Sequence, residues 1–271
     1  MNTISKVLRN KKNSSICALI PFITAGYPNI NTTIKALYAL DKSGADIIEL
    51  GIPYVDALAD GPIIQNSSQI AIEQGVFIDD VLSILSAVTV NLTSPVIVFT
   101  YYNPILVRGL KLFIGEISKS GAKGLIIPDL PIEETNYLIY LCSSYNIELI
   151  LFISPTSSIE RISYILSKAP GCLYLVGNTG VTGPRESINY DLVNLCNFLK
   201  SKSNKSVIIG FGISSNEQVS ELSRWNIDGV VMGSVFVNIL SDHDACVSIS
   251  SKIGKLSSFC KKIRCTMDTT Y

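Results

Sequence analysis

The amino-acid sequence predicts an α/β protein: a single (β/α)8, or TIM, barrel that covers about residues 16–262 of one 271-residue domain. Eight short apolar runs recur along the chain, and each is followed by a segment whose apolar residues fall at helical spacing. The runs are apolar throughout rather than alternating, as expected of parallel strands that are covered on both faces. Eight such units favour a closed barrel, and an open parallel sheet is the alternative.

Each strand is predicted from a short apolar run that ends in a turn or polar segment. In chain order these runs cover residues 16–23, 47–50, 95–101, 124–128, 148–154, 172–177, 206–212 and 228–234. Each helix that follows is long enough for a right-handed crossover between parallel strands. The predicted helices cover residues 31–44, 62–75, 78–88, 112–121, 133–145, 159–169, 191–202 and 215–225, with a last helix within 243–262. Extra helices are predicted at the N-terminus and after strand 8. No GxGxxG motif opens a helix after the first strand, which weighs against a dinucleotide-binding fold.

The charge content excludes several classes of function. Only 16% of the residues are charged, against roughly 25% in an average domain, and 22 basic residues balance 22 acidic ones. Without a basic stripe, nothing favours binding to nucleic acid or to an acidic membrane surface. No segment has the 18 or so apolar residues of a membrane span, and no cleavage signal is present. We expect a soluble protein of the cytoplasm or, because the Ile-, Ser- and Asn-rich composition suggests an AT-rich genome, of the plastid stroma.

Cysteine and histidine usage argues against a disulfide framework or a metal centre. The seven cysteines are odd in number and no pair has CxxC spacing, so buried free thiols are expected. His243 is the only histidine. A histidine base would therefore have to be His243, and we do not expect that residue to reach the site.

The segment DIIELGIPYVDALADGPIIQ places three carboxylates at and beyond the end of strand 2: Glu49, Asp56 and Asp60. In such barrels the site lies at the C-terminal ends of the strands and in the loops that follow them. No Lys or Arg lies between Lys42 and Arg108. A carboxylate without a cationic partner in a half-apolar mouth is expected to have a raised pKa and to move protons near neutral pH. The competing interpretation makes Glu49 a structurally paired carboxylate and the aspartates turn and N-cap residues.

Glycines end the seventh and eighth strands, in GFGIS at 210–214 and in the Gly233–Ser234 pair. Loops after strands 7 and 8, with a short extra helix, form the usual phosphate site of such barrels. Glycines let backbone N–H groups approach a ligand, and helix N-termini concentrate those donors. We predict a phosphate site formed by Gly212, Ile213, Gly233 and Ser234, with simple turn chemistry as the alternative.

The loop GNTGVTGPRES, residues 177–187, follows strand 6 and is rich in glycine and threonine. It predicts a lid that closes over the mouth and excludes water, and a plain surface loop is the alternative. Aromatic residues at the strand ends would suit a flat apolar ligand, although each alone would equally suit the core. These are Phe22, Tyr101, Tyr102, Phe152 and Tyr174. Together the features predict an enzyme that acts on a small phosphorylated substrate with an apolar ring by carboxylate acid–base catalysis.

Seven motifs, taken together and in this order, resemble the tryptophan synthase alpha chain family. They are PFITAGYP, ELGIPYVDALADGPIIQ, YYNPIL, GLIIPDLPIEE, GVTG, GFGIS and DGVVMGS, and they extend from Pro21 to Ser234. The resemblance implies a retro-aldol cleavage of indole-3-glycerol phosphate to indole and glyceraldehyde 3-phosphate.

The resemblance also implies roles for individual residues. Glu49 matches the catalytic glutamate, which protonates indole C3 and accepts the proton of the glycerol hydroxyl. Asp60 matches the catalytic aspartate, which holds the indole N–H and stabilises the positive charge that develops there. The residues that match the substrate-binding positions are Phe22, Tyr101 and Tyr174 for the indole pocket, Thr182 and Gly183 for the lid, and Gly183, Gly212, Gly233 and Ser234 for the phosphate.

The family works as an αββα complex that passes indole to a beta chain, so the resemblance implies pyridoxal phosphate in that partner and no cofactor in this chain. The loop around Asp56 helps to form the contact. Here the usual serine and proline beside that aspartate are Val55 and Ala57, and the lid begins with Gly177 where serine is commoner.

Three other functions remain open on the sequence: a weakly active subunit that serves mainly to activate a beta chain, another phosphate-binding barrel enzyme such as a phosphoribosyl isomerase, and a standalone lyase that releases free indole. The presence of Glu49, Asp60 and the phosphate glycines argues against the first. The absence of a comparable carboxylate at the end of strand 5 or 6 argues against the second.

Overall fold

The computed structural model describes residues 2–177, 190–210, 212–241 and 248–269. Eight parallel strands pair in chain order, and the first also pairs with the eighth, so the sheet closes on itself. The closure confirms the (β/α)8 barrel and excludes the open sheet. The strands are β1 (Ala18–Thr24), β2 (Ile48–Gly51), β3 (Val96–Phe99), β4 (Gly124–Ile126), β5 (Glu148–Ile153), β6 (Leu173–Val176), β7 (Val207–Gly210) and β8 (Gly229–Met232).

Twelve α-helices surround the barrel within the described part of the chain. They are α1 (Thr3–Asn13), α2 (Ile30–Lys42), α3 (Pro62–Glu73), α4 (Ile78–Val88), α5 (Tyr102–Arg108), α6 (Leu110–Lys119), α7 (Thr135–Ser144), α8 (Ile159–Lys168), α9 (Tyr190–Lys202), α10 (Asn216–Ser223), α11 (Ser234–Leu240) and α12 (Ile249–Asp268). A short 3-10 turn, Ile132–Glu134, precedes α7. The expected extra helices are α1 and α11. No described helix is long and apolar enough to cross a membrane.

The strands are buried along almost their whole length, because helices cover one face and the barrel interior covers the other. Register places Phe22 of β1 beside Glu49 of β2, and Glu49 beside Ile97 of β3. An acidic side chain is therefore flanked by apolar ones in adjacent strands. Of the described cysteines, five are buried free thiols and Cys265 is exposed.

The floor of the barrel, at the N-terminal ends of the strands, is closed by α1. Ile4 and Leu8 of this helix are fully buried. Ser5 donates from its backbone N–H to Glu148 at the start of β5, at 2.9 Å, and its hydroxyl also donates to that carboxylate. Buried polar groups need such partners to avoid the cost of desolvation. The buried carboxylate of Glu148 is thus hydrogen-bonded to α1 at this end of the barrel.

Candidate active site

A cavity of about 420 Å³, part of it open to solvent, lies at the C-terminal ends of the strands. We call it the mouth cavity. It is lined by Phe22, Glu49, Asp60, Gly61, Ile64, Phe99, Tyr174, Gly212, Val231, Gly233 and Ser234. The position is the one at which barrel enzymes carry their sites. Seven of the residues predicted from the sequence line it together, although they come from five different strands or the loops that follow them.

Glu49 provides the first carboxylate of the mouth cavity. It is 1% exposed, and its Oε2 atom accepts no hydrogen bond from any described residue. Burial, and then the nearby charge of Asp60, raise the pKa of Glu49 to about 8. A carboxyl group in this state is protonated near neutral pH and can donate a proton to a bound molecule.

Asp60 provides the second carboxylate, one residue before the N-cap of α3. It is 4% exposed, and its Oδ2 atom accepts a hydrogen bond of 2.9 Å from the hydroxyl of Tyr101. Burial raises the pKa of Asp60 to about 6, while the hydrogen bond from Tyr101 acts in the opposite direction. Asp60 is therefore ionised at a pH at which Glu49 still holds its proton.

No salt bridge joins either carboxylate to a cation among the described residues. Arg108, the first basic residue after Lys42 in sequence, instead pairs with Asp79 and Glu116 on the outside of the barrel. The sequence around the two carboxylates lacks a basic residue, and the described part of the structure likewise brings no Lys or Arg into a salt bridge with them. A paired carboxylate would have a lowered pKa, so the interpretation of Glu49 as an ion-paired residue finds no support in the described part of the chain.

Aromatic rings form the apolar walls. Phe22 and Phe99 meet edge to face with centroids 5.6 Å apart, and Phe152 packs on Tyr174 at 4.7 Å. Tyr174 is buried, and burial followed by the charges of Glu49 and Asp60 raises its pKa well above the ordinary value. It therefore stays neutral. The walls can hold a flat apolar ring against the two carboxylates.

The other side of the mouth cavity offers backbone donors. Gly212 follows β7 with φ +81°, a left-handed conformation that favours glycine. Gly233 and Ser234 begin α11, and the first N–H groups of a helix have no partner within it. Such a helix start attracts an anion. Ile213, predicted with this group, is buried and is not among the residues that line the cavity.

Other predicted residues take different positions. Tyr101 lies beside the cavity, bonded to Asp60, and Phe152 lies behind Tyr174. Asp56 is exposed on the loop after β2. Thr182 and Gly183 of the predicted lid belong to residues 178–189, and His243 to residues 242–247, which lie outside the described residues.

Four residues that line the cavity were not predicted: Gly61, Ile64, Phe99 and Val231. Phe99 could have been found, because it lies near the C-terminal end of the predicted third strand, where barrel enzymes carry their sites. Ile64 lies four residues after Asp60, about one helical turn away. For Gly61 and Val231 the sequence carries no comparable local signal.

The chain is similar to known proteins over almost its full length. The family model described as "Tryptophan synthase alpha chain" matches residues 8–267. A tryptophan synthase alpha chain from Antithamnion sp. is 56% identical over 264 residues, which cover 97% of this chain and 98% of that protein. The alpha chain of Synechococcus elongatus is 42% identical over 268 residues, which cover 99% and 98% of the two chains.

Solved structures agree with these sequence comparisons. The tryptophan synthase alpha subunit of Legionella pneumophila has a TM-score of 0.88 at 31% identity, with 99% of each chain covered. A chain of Mycobacterium tuberculosis tryptophan synthase has a TM-score of 0.88 at 28% identity, with 98% of each chain covered. The similarity includes both the fold and the length of the chain.

Proposed function

The chain belongs to the tryptophan synthase alpha chain family of lyases, which cleave indole-3-glycerol phosphate and pass the indole to a beta chain, and we propose that Glu49 and Asp60 carry out this cleavage. The observation that supports the proposal is a pair of buried carboxylates in one cavity whose pKa values differ. Glu49 has a pKa of about 8 and Asp60 one of about 6. Acid–base roles can be assigned where two environments separate two pKa values in this way.

In the first step, protonated Glu49 gives its proton to C3 of the indole ring. The ring becomes a cation whose charge is concentrated at the N–H group. Asp60, ionised, accepts a hydrogen bond from that N–H group and stabilises the charge. A neutral Asp60 could not supply this stabilisation, so its lower pKa matters as much as the higher pKa of Glu49.

In the second step, Glu49, now a carboxylate, removes the proton of the glycerol hydroxyl next to the ring. The C–O bond becomes a carbonyl, the bond between the side chain and C3 breaks, and its electron pair returns to the ring. The products are indole and glyceraldehyde 3-phosphate. One proton has moved from oxygen to carbon, and Glu49 ends protonated as it began.

Substrate binding is assigned to five other residues that line the mouth cavity. Phe22 and Tyr174 would hold the indole ring, and Gly212, Gly233 and Ser234 would bind the phosphate through backbone N–H groups. Their position around the two carboxylates supports these roles. Thr182 and Gly183 are proposed as lid residues, and Gly183 also as part of the phosphate site, on the family resemblance alone.

We further propose an αββα assembly in which the loop after β2 contacts the beta chain. Val55 is 75% exposed and Leu58 is 86% exposed on this loop. Exposed apolar side chains at the mouth suit a protein partner. Pyridoxal phosphate belongs to the beta subunit in this family, and we propose that the alpha chain works without a cofactor of its own.

Two broader proposals follow from the relatives. Close similarity to red algal plastid-encoded and cyanobacterial enzymes supports a location in the plastid stroma or the cytoplasm. A family match over residues 8–267 supports one domain, residues 1–271, with a barrel over about 16–262. Limited proteolysis would contradict the domain proposal if it released two stable folded fragments.

The test is indole release from indole-3-glycerol phosphate by the purified chain, with and without a beta chain. Glu49→Gln and Asp60→Asn are each expected to lower kcat by about 10²- to 10⁴-fold, the usual contribution of an acid–base or charge-stabilising group. Glu73→Gln is the matched control, because Glu73 is an exposed carboxylate of α3. Wild-type rates in either site variant would contradict the assignment. A rate of indole release that does not change when the beta chain is added would indicate a standalone lyase. The mass of the complex formed by the two chains tests the αββα stoichiometry.

A further inference from the structure

The hydroxyl of Tyr101 lies between two groups of the loop after β2. It accepts a hydrogen bond of 3.1 Å from the backbone N–H of Ala59, and it donates one of 2.9 Å to Oδ2 of Asp60. A phenol carries a single proton. Because Ala59 donates to the oxygen, the proton of Tyr101 is directed at Asp60.

The ring of Tyr101 is held firmly in this position. It is 3% exposed, it packs on Tyr54 with centroids 5.2 Å apart, and it meets Phe99 edge to face at 6.1 Å. Tyr101 follows β3, whereas Ala59 and Asp60 follow β2. The hydroxyl therefore ties the loop that carries the carboxylate to the neighbouring strand.

We propose that Tyr101 is a positioning residue that fixes the Asp60 carboxylate in one orientation and keeps it ionised, with its Oδ1 atom left for the indole N–H group. The inference rests on the proposed role of Asp60. This function differs from contact with the indole ring. It depends on the hydroxyl group of Tyr101 and not on its aromatic ring.

The charges around Asp60 make such a donor necessary. The titratable groups that face Asp60 in the described part of the chain are Glu49, Tyr101 and Tyr174. None of them is a cation. Burial disfavours the charge of Asp60, and the hydrogen bond from Tyr101 is the contact that favours it. Burial, and then the charge of Asp60, raise the pKa of Tyr101, so the hydroxyl keeps its proton.

The experiment measures kcat/KM for indole release from pH 5 to pH 9 in the wild type, Tyr101→Phe, Tyr102→Phe and Asp60→Asn. Tyr102 is the matched control because it neighbours Tyr101 in sequence, yet it does not line the mouth cavity and its backbone N–H donates to Asp129. We expect the acid limb of Tyr101→Phe to move to higher pH. At pH 6 its kcat/KM should fall at least about tenfold more than that of Tyr102→Phe, since hydrogen bonds to charged groups are strong.

A second readout does not depend on turnover. In enzyme labelled with 13C at the aspartate carboxyl groups, the resonance that Asp60→Asn removes should titrate at higher pH in Tyr101→Phe. If that variant does not fold, a difluorotyrosine placed at position 101 keeps the shape of the side chain and is a stronger donor. The same resonance should then titrate at lower pH than in the wild type.

Two results would overturn the inference. An unchanged acid limb and an unchanged Asp60 titration in Tyr101→Phe, together with an inactive Asp60→Asn, would remove the role of Tyr101 and leave the proposed function standing. Wild-type activity in Asp60→Asn would instead remove the proposed role of Asp60, and the inference with it.

Discussion

Glu49 and Asp60 are both buried in the mouth cavity, and the negative charge of Asp60 raises the pKa of Glu49 in addition to the effect of burial. Neither forms a salt bridge with another described residue. Two interacting carboxyl groups release their protons as a pair, so a titration reports apparent values for both together. The arrangement produces a pH interval in which one member is neutral and the other charged, which is the state that the proposed first step needs.

The pH dependence of kcat/KM follows from that interval. Asp60 must be ionised, so activity should fall as the pH drops below about 6, and Glu49 must start protonated, so activity should fall as the pH rises above about 8. We expect a bell-shaped profile for the free enzyme. Steady-state indole release across this range measures it. A profile that still rises above pH 9 would show that Glu49 does not act first as an acid.

Glu49 should also lower the stability of the protein at high pH. Its pKa is raised in the fold, so its contribution to stability is fully present below the unfolded value near 4.5 and is lost as the pH rises through about 8. Glu49→Gln carries no such charge. We expect this variant to gain free energy of unfolding relative to the wild type between pH 5 and pH 9, by on the order of a few kcal/mol at most.

Urea unfolding at the two pH values measures this gain. Glu73→Gln is again the control, because an exposed carboxylate pays no burial penalty and should show no such trend. Equal stability differences between Glu49→Gln and the wild type at both pH values would mean that the pKa of Glu49 is not raised in the folded protein, so that this group is already ionised at pH 5.

Much of the fold was predictable because it depends on local signals. Continuous apolar runs mark strands that are buried on both faces, and the barrel rule then places whatever follows each strand at the mouth. Glu49 and Asp60 were found in this way. Helix α5 was not, since Tyr101 was assigned to strand 3. The backbone N–H of Tyr102, at the start of this helix, is satisfied by Asp129 from the next loop, at 2.8 Å.

The features that the sequence could not show depend on contacts between segments that are far apart along the chain. Ala59 and Tyr101 are 42 positions apart, and no spacing rule links them. The edge-to-face contact of Phe22 with Phe99 likewise depends on the closure of the barrel. The sequence identifies residue types at the strand ends, whereas the direction of each side chain and its partner follow from the register of the folded sheet.

A methyl group at Gly51 should disturb the site without touching the carboxylates. A Cβ atom there would lie 2.6 Å from Cζ of Phe22, closer than carbon atoms approach. The ring would have to move within the mouth cavity, so we expect Gly51→Ala to lower kcat/KM by about ten- to a hundredfold, the scale of a misplaced binding group. Steady-state kinetics with indole-3-glycerol phosphate measures the effect.

Gly254→Ala is the matched control for this substitution. A Cβ atom at Gly254, in α12, would meet no atom within 4 Å, so the variant should keep wild-type kinetics and gain up to about 1 kcal/mol from helix propensity. Wild-type kinetics in Gly51→Ala as well would show that the position of Phe22 is not critical for substrate binding.

A buried ion pair at the floor of the barrel should affect the stability of the protein but not its activity. Lys200 of α9 pairs with Asp228, which precedes β8 and whose side chain is 1% exposed. Asp228 also accepts a hydrogen bond of 2.7 Å from the backbone N–H of Val207. The Nζ atom of Lys12 lies 3.5 Å from Oδ1 of Asp228. Removing one partner leaves a buried charge, so Lys200→Met should cost about 3 kcal/mol. Arg161→Met is the control, because its pair with Glu133 is exposed and should contribute less than about 1 kcal/mol.

Urea unfolding of both variants, and of Lys200→Met combined with Asp228→Asn, separates the two possible causes. If the loss comes from the uncompensated charge, the double variant should recover part of it, since asparagine can still accept from Val207 without being charged. A loss in Lys200→Met no larger than that in Arg161→Met would show that Lys12 alone compensates Asp228. Because the floor lies at the end of the barrel opposite the carboxylate pair, kcat/KM of the folded variants should match the wild type.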